Sequence, residues 1–494
     1  MNALWPGLML HKHQQVGIDR MVDLERRGVL CPPLDDGTEE VLVTGGFLCD
    51  AMGVGKTIET LGLLAENPQK ATLLLMPKAL IGNWVENGHR ADFTCFVVEG
   101  GKWALAKRGS RSSALYITNY ETVLSKPGLT TDLVWDRIVL DESHRIRNPS
   151  TRLSKAIIAL RADFRWALSG TPLVNTMRDI VAQLAFIGVP VAETFRWDSE
   201  YYEALVPRLV IRRSMEEIRG IVDMVPPVPV VETHALDFLS EEEADFYHGL
   251  QGLRDAIKYA RVSRKLILEM LLRLRQTAVS PEIYMAALRS QDPTYEEVWG
   301  RPSTKMVALG NVIDDEQGEH KFLVFCSFYG EMELLAAYLQ KTCGTKAELY
   351  HGGLSTAERS DVLGRAERGS CRVLLIQIQS GGVGLNLQSF DRVVFMTPWW
   401  TSALMDQAVA RSVRMGQDKV VKVIHLVLAE VEEMGIDIDN FMMDKAESKR
   451  ELLEDFFALT AEGKGKEVVK KSEVVKKVKK PVKVEVDEDP TNVV

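Results

Sequence analysis

The chain has 494 residues, 46% hydrophobic and 26% charged, enough apolar material for two to four cored domains, which excludes a low-complexity or fibrous polypeptide. A net charge of −9 excludes a wholly basic nucleic-acid coat, yet residues 464–483 hold nine Lys and two Glu, or +7, leaving −16 elsewhere. Six scattered cysteines without a CxxC pair argue against a zinc module and against a disulfide scaffold.

In chain order, the opening MNALWPGLML lacks the basic start and unbroken apolar run of a secretory signal. Five short apolar runs follow: GGFLC at 45–49, ATLLLMP at 71–77, LYITNY at 115–120, RIVLDE at 137–142 and RWALSG at 165–170. Five more lie in the second half: KFLVFCSF at 321–328, AELYHG at 347–352, CRVLLIQIQ at 371–379, RVVFMTP at 392–398 and VKVIHLVL at 421–428. Runs this apolar, separated by helix-length segments, predict parallel strands buried on both faces. Two such blocks predict an α/β protein of two doubly wound parallel-sheet lobes. The expected divisions are a first lobe over 1–225, a helical connector over 226–300, a second lobe over 301–440, a brace helix over 441–462 and a disordered Lys-rich tail over 463–494. The longest uncharged stretch, Val373–Phe390, is broken by Gln, Ser, Gly and Asn and cannot span a membrane.

Three segments carry chemistry. DAMGVGKT, Asp50–Thr57, lies between a predicted strand and a helix. Gly53 and Gly55 let backbone N–H groups wrap phosphate, Lys56 reaches the terminal phosphates, and Thr57 offers a hydroxyl to magnesium. Alone, the segment also reads as an ordinary glycine-containing turn. DESH, Asp141–His144, ends an apolar strand; Asp141 is placed to hold magnesium, and Glu142 to orient or deprotonate an attacking water. An isolated Asp-Glu pair also reads as a helix N-cap. In QAVARSVRMGQ, Arg411 and Arg414 are three apart and share a helix face, which suits guanidinium stabilisation of a transferring phosphoryl group, although such pairs are often merely solvated.

In this order the segments resemble the motif set of the Swi/Snf-type ATPases, superfamily 2 helicase-related DNA translocases. LHKHQQVG at 10–17 resembles the adenine-reading Gln motif with Gln14 in the key place, and DAMGVGKT resembles motif I, where Asp50 is the expected residue. PKALIGNW at 77–84, TNYE at 118–121, DESHRIRN at 141–148 and LSGTPLVN at 168–175 resemble motifs Ia, Ib, II and III. LRLRQ at 272–276 and STKM at 303–306 match features between the lobes; VFCSF at 324–328, SGGVGLNLQ at 380–388 and QAVARSVRMGQ resemble motifs IV, V and VI. The resemblance runs from about residue 10 to residue 450, and compact versions of the family occur in viruses and phages as well as in cells.

The resemblance implies two RecA-like lobes with ATP and Mg2+ as cofactors. The nucleotide would be held by Gln14, Asp50, Ala51, Met52, Gly53, Val54, Gly55, Lys56, Thr57 and Gly384, and by Arg411 and Arg414. Thr57 and Asp141 would bind the metal, while Ser169, Thr171 and Gln407 would couple nucleotide state to movement. Lys78, Arg145 and Arg147 are the DNA-contact candidates by motif position. It implies a DNA-dependent ATPase moving on duplex DNA and acting on DNA-bound proteins or within a transcription or repair complex, with no membrane and no zinc. The rival readings are a strand-separating helicase and a non-enzymatic transcription-regulatory DNA-binding subunit. KKVK at 476–479 fits nuclear import in a nucleated host, and a cytoplasmic place otherwise. The family's Asp-Pro-Trp-Trp-Asn-Pro reads Thr397-Pro398-Trp399-Trp400-Thr401-Ser402 here, a change expected to weaken coupling. Trp399 and Trp400 read as core rather than as a DNA-facing wedge.

Overall fold

The computed structural model describes residues 4–34, 39–192, 200–222, 225–259, 264–316, 319–368, 371–381, 385–429, 437–460 and 479–481. Two compact units emerge. One is built on Met1–Val225 and takes in Arg414–Gly416 and Ser448–Val468; the other comprises Pro226–Val413, Gln417–Glu447 and Val469–Val494.

The first unit holds an eight-stranded sheet in the spatial order Val210–Ile211, Gly45–Leu48, Ala162–Leu168, Trp135–Asp141, Ala71–Met76, Ala114–Asn119, Thr94–Glu99 and Lys102–Lys107. Every pairing is parallel except the last, an antiparallel hairpin. The five apolar runs of the first half are its central strands. Phe47, Leu48, Leu73, Leu75, Ile138, Leu140 and Trp166 are fully buried, as expected of strands covered on both faces. The hairpin is not among those runs because, Cys95 apart, its residues are only half-buried or exposed, and a two-residue strand such as Val210–Ile211 has no periodicity to read.

The second unit's sheet runs Ala347–Tyr350, Val373–Gln377, Phe322–Cys326, Arg392–Phe395, Lys422–Leu428, Val230–Leu236 and Lys479–Pro481, all parallel. Strand alternation divides its interior into two layers. Phe322, Val324 and Cys326 join Val373, Leu375, Val394 and Ile424 on one face. Leu323 and Phe325 join Leu374, Ile376, Val393 and Val423 on the other.

Two expectations need correction. The segment expected to be a helical connector begins with the strand Val230–Leu236, paired along its whole length to Lys422–Leu428. Prolines 226, 227 and 229 disguised it: they end just before the paired residues, and the strand keeps only Leu236 fully buried. Helices Glu241–Tyr259, Arg264–Val279 and Pro281–Gln291 then follow as anticipated. Of the tail, Lys479–Pro481 is a short strand beside Val230–Leu236, where Pro481 is tolerable at the sheet edge; the remaining tail residues lie outside the described residues. The last long helix is Ile438–Thr460.

Candidate functional site

The strand Gly45–Leu48 delivers the loop Cys49–Gly55. The loop is fixed on both sides, with Cys49 N donating to Ile211 O at 2.7 Å, Ala51 N to Arg213 O at 3.1 Å, and Ser169 N to Leu48 O at 3.2 Å. Gly53 (φ 81°) and Gly55 (φ 101°) occupy the left-handed region that a side chain makes costly. Gly55 ends the loop as N-cap of helix Lys56–Glu66. The N–H groups of Lys56 and Thr57, lacking partners one turn earlier in the helix, and the helix dipole together form an anion cradle.

Around that cradle several candidates of the first unit have definite places. Lys56 Nζ donates to the carbonyls of Asp50 (2.8 Å) and Ala51 (3.1 Å), which holds the ammonium over the loop. Met52 packs close to Gly170, and a Cβ at Gly170 would lie 3.4 Å from Lys56 Nζ, so the backbone after Ser169 comes directly up to the lysine. The Val54 carbonyl accepts from His13 Nε2 and Gln14 Nε2, both at 3.1 Å, while Gln14 Oε1 accepts from His11 N at 3.0 Å. Gln14 thus grips the loop itself through its amide. The Asp50 carboxylate is taken up by Arg213, whose guanidinium also meets Glu59 and the His13 carbonyl. Asp50 therefore braces the loop from below.

The strand Trp135–Asp141 brings up the acidic pair. Asp141 Oδ2 accepts from Trp84 Nε1 at 2.8 Å, its Oδ1 from Glu142 N at 3.0 Å, and its carbonyl from Tyr120 Oη at 2.7 Å. Burial, with the adjacent Glu142 charge adding to it, pushes the Asp141 carboxyl up to about 6; Trp84 and Lys56 oppose that shift. Glu142 has a left-handed backbone (φ 56°, ψ 52°), a strained choice for a non-glycine residue. His144 Nδ1 lies 3.2 Å from Ser169 Oγ and 3.4 Å from Glu142 Oε2. Burial, followed by the charges of Arg147 and Arg145, pushes that imidazole down to about 4, so it is neutral near pH 7. Ser169 Oγ also accepts from Thr171 N at 3.2 Å. Ser169 and Thr171 are thereby joined to the acidic pair through His144.

In the second unit, helix Ser402–Val409 carries Gln407, which is buried, and leads into Arg411. The turn that follows is strapped to the segment 385–388. Leu387 N donates to Arg411 O at 3.1 Å, and Gln417 Nε2 to Gln388 O at 2.8 Å. Burial lowers the pKa of Arg414, which is grouped with the first unit, from its ordinary value. Gly384 lies outside the described residues. Trp399 packs against one hydrophobic layer and Trp400 against a smaller cluster around Tyr247, with the Arg275 guanidinium 4.6 Å from the Trp399 ring centre and 5.6 Å from that of Trp400. Arg275 donates to Ser327 Oγ (3.0 Å), which is bonded in turn to Thr397 Oγ1 (3.1 Å).

Of the DNA-contact candidates, Arg145 and Arg147 line one cleft, whereas exposed Lys78 does not belong to it. Trp84, Tyr120, His144, Gly170 and Arg213 belong to the nucleotide-side assembly but were not singled out from the sequence. Trp84, Tyr120 and His144 sit inside the recognised motifs PKALIGNW, TNYE and DESHRIRN. Arg213 sits in none, and its partners are more than 150 residues away, so no local signal reveals it.

Residues 13–283 match the family model described as SNF2-related domain, and residues 304–416 match that of the helicase conserved C-terminal domain. A relative from Orgyia pseudotsugata multicapsid polyhedrosis virus, named "Probable global transactivator", is 29% identical over 92% of each chain. The mouse SWI/SNF-related matrix-associated actin-dependent regulator of chromatin subfamily A member 1 is 26% identical over 85% of this chain but only 41% of its own length. Among solved structures, the Sulfolobus solfataricus SWI2/SNF2 ATPase core in complex with dsDNA has a TM-score of 0.40 and 23% identity, covering 93% of this chain and 94% of its own.

Proposed function

Because the chain belongs to the SNF2-related domain family and is an ATP hydrolase, we propose that it spends ATP to move along duplex DNA and to displace what is bound there. The observation that carries this reading is the loop Asp50–Thr57, with its two left-handed glycines and Lys56 over the mouth, in the same unit as the acidic pair Asp141–Glu142. The loop N–H groups and Lys56 bind and orient the phosphates. Glu142, aimed by its unusual backbone, positions the attacking water and takes its proton. Arg411 and Arg414 neutralise charge on the transferring phosphoryl group.

Mg2+ fits the donor set: one hydroxyl (Thr57) and one carboxylate (Asp141) suit a hard cation that takes its other ligands from water and phosphate oxygens. When bound, the ion would spread the charge developing on the phosphates.

Duplex DNA as the track is supported by the helicase C-terminal match and by the mouse relative's designation as a chromatin regulator. Action within transcription or repair, and nuclear import through KKVK at 476–479, belong to the same proposal.

The test is ATP hydrolysis by the full chain without nucleic acid and with single-stranded DNA, duplex DNA or RNA, alongside triplex displacement. Duplex DNA is expected to stimulate most, and a third strand to be displaced without duplex unwinding. Lys56→Ala should cost about a hundredfold or more in hydrolysis. Equal rates with and without DNA, or unwinding without triplex displacement, would remove the reading.

A further inference from the structure

Within the first unit, a cleft of about 820 Å³ opens between the turn after the acidic pair and the turn after Thr171. Arg145, Arg147, Asn148 and Thr151 line one wall, and Asn175 and Arg178 the other. Three arginines face a single lining carboxylate, Asp179, although the chain outside its tail is strongly acidic.

Both walls are held by polar contacts of their own. Asn148 Oδ1 accepts from Ser150 N at 2.9 Å, and Thr151 Oγ1 caps helix Arg152–Ile158 through Ser154 N at 3.1 Å. Opposite, Asp179 Oδ2 accepts from Val174 N (2.9 Å), Asn175 N (2.6 Å) and Thr176 N (3.4 Å). Asp179 is thus committed to the backbone rather than to the arginines. Among the described residues the side chains of Arg147 and Arg178 have no hydrogen bond or ion pair, and that of Arg145 has only a long contact (3.8 Å) with exposed Glu121. A fixed cleft with unneutralised guanidiniums calls for an anion from outside.

We propose that this cleft binds the phosphodiester backbone of duplex DNA, with Arg178 and Arg147 contacting phosphates from opposite walls; the proposal rests on duplex DNA being the track. The lining favours a nucleic acid over an acidic peptide. It offers guanidinium, amide and hydroxyl groups, the side chains that contact phosphate, while Pro149 and Val181 are its only apolar members and no aromatic ring is present to anchor a peptide. Such contacts carry no sequence information, so the cleft grips any duplex equally.

Arg178→Glu is the test, because Arg178 is exposed and lies outside the ATP site. The full-length variant and parent are titrated with a 20-base-pair duplex at several salt concentrations while ATP hydrolysis is followed, and a poly-glutamate peptide is tested for binding to both. Hydrolysis without DNA should be unchanged. The duplex concentration for half-maximal stimulation should rise about tenfold, and the salt dependence should lose about one phosphate's worth of slope. Arg147→Gln should shift the same half-point in the same direction. If duplex stimulates the parent and the Arg178→Glu half-point and slope stay put, the cleft assignment alone is wrong. The assignment likewise fails if the variant loses only poly-glutamate binding. A parent that duplex DNA does not stimulate overturns the translocase reading and this assignment with it.

Discussion

Among the described residues each unit contains one fully buried ion pair, and the two are built differently. In the first, Arg137 forms a fork on Glu25 (2.6 and 2.5 Å), Glu25 also accepts from Trp166 Nε1 (2.9 Å) and Asn67 Nδ2 (2.6 Å), and Arg137 reaches the Asn67 carbonyl at 2.8 Å. In the second, Lys305 Nζ donates to Asp439 Oδ2 at 2.5 Å and to the Met396 carbonyl at 2.8 Å, and Leu428 N donates to the same Asp439 oxygen at 3.2 Å. The planar fork fixes direction as well as distance; the ammonium is a point charge that joins three segments. What each pair ties together follows function. Glu25 lies on the helix that carries Gln14, and Arg137 on the strand that carries Asp141. Lys305 and Asp439 instead hold the strand end that leads into Trp399 and the helix of Gln407.

The largest expected effect is in the first unit. Glu25→Gln leaves Arg137 buried with its charge unmatched and should cost about 3–5 kcal/mol. Calorimetry should show the loss, and KM for ATP should rise because both sides of the nucleotide loop rest on this pair. A variant of parental stability would show that the fork is dispensable. Lys305→Met should come next, near the lower end of that range, since Asp439 keeps its bond from Leu428 N; ATP binding should be unaffected. Should Lys305→Met weaken ATP binding as much as Glu25→Gln does, the contrast between the units disappears. Thr397→Val removes one hydroxyl from the chain Arg275–Ser327–Thr397 and should cost about 1 kcal/mol by denaturant titration.

The last effect concerns pH. Glu331, wholly buried, accepts from Ser327 N (2.7 Å) and Phe328 N (3.0 Å), and burial pushes its carboxyl up to about 7 against those bonds and the more distant Lys305 and Arg275 charges. The folded chain therefore keeps a proton that the unfolded chain releases near the ordinary glutamate value of 4.5. Stability falls as pH rises between those values, and Glu331→Gln should flatten part of the fall. Asp437, also pushed up to about 7 by burial and then by Asp439, should leave a residual slope. Thermal midpoints measured from pH 5 to pH 8 decide it; parallel curves for parent and variant would contradict the assignment.

The sequence alone showed the buried parallel strands because every residue in a strand such as Phe322–Cys326 is apolar. It showed the nucleotide loop because Gly53, Gly55 and Lys56 are adjacent. It hid whatever depends on distant pairing. Val230–Leu236 becomes a strand only beside Lys422–Leu428, and Arg213 gains meaning only where Asp50 and Glu59 meet it. Arg178 carried no motif signal either; its significance comes from the unneutralised arginines around it in the cleft.

The left-handed backbone at Glu142 has a consequence for how this protein would respond to selection. Glycine at that position would relieve about 1 kcal/mol of strain and so would be enriched in any search for heat resistance alone. The same substitution removes the carboxylate expected to handle water, so such a search would drift toward a sturdier, silent enzyme. A screen for hardier variants therefore has to hold residue 142 constant or score turnover alongside survival.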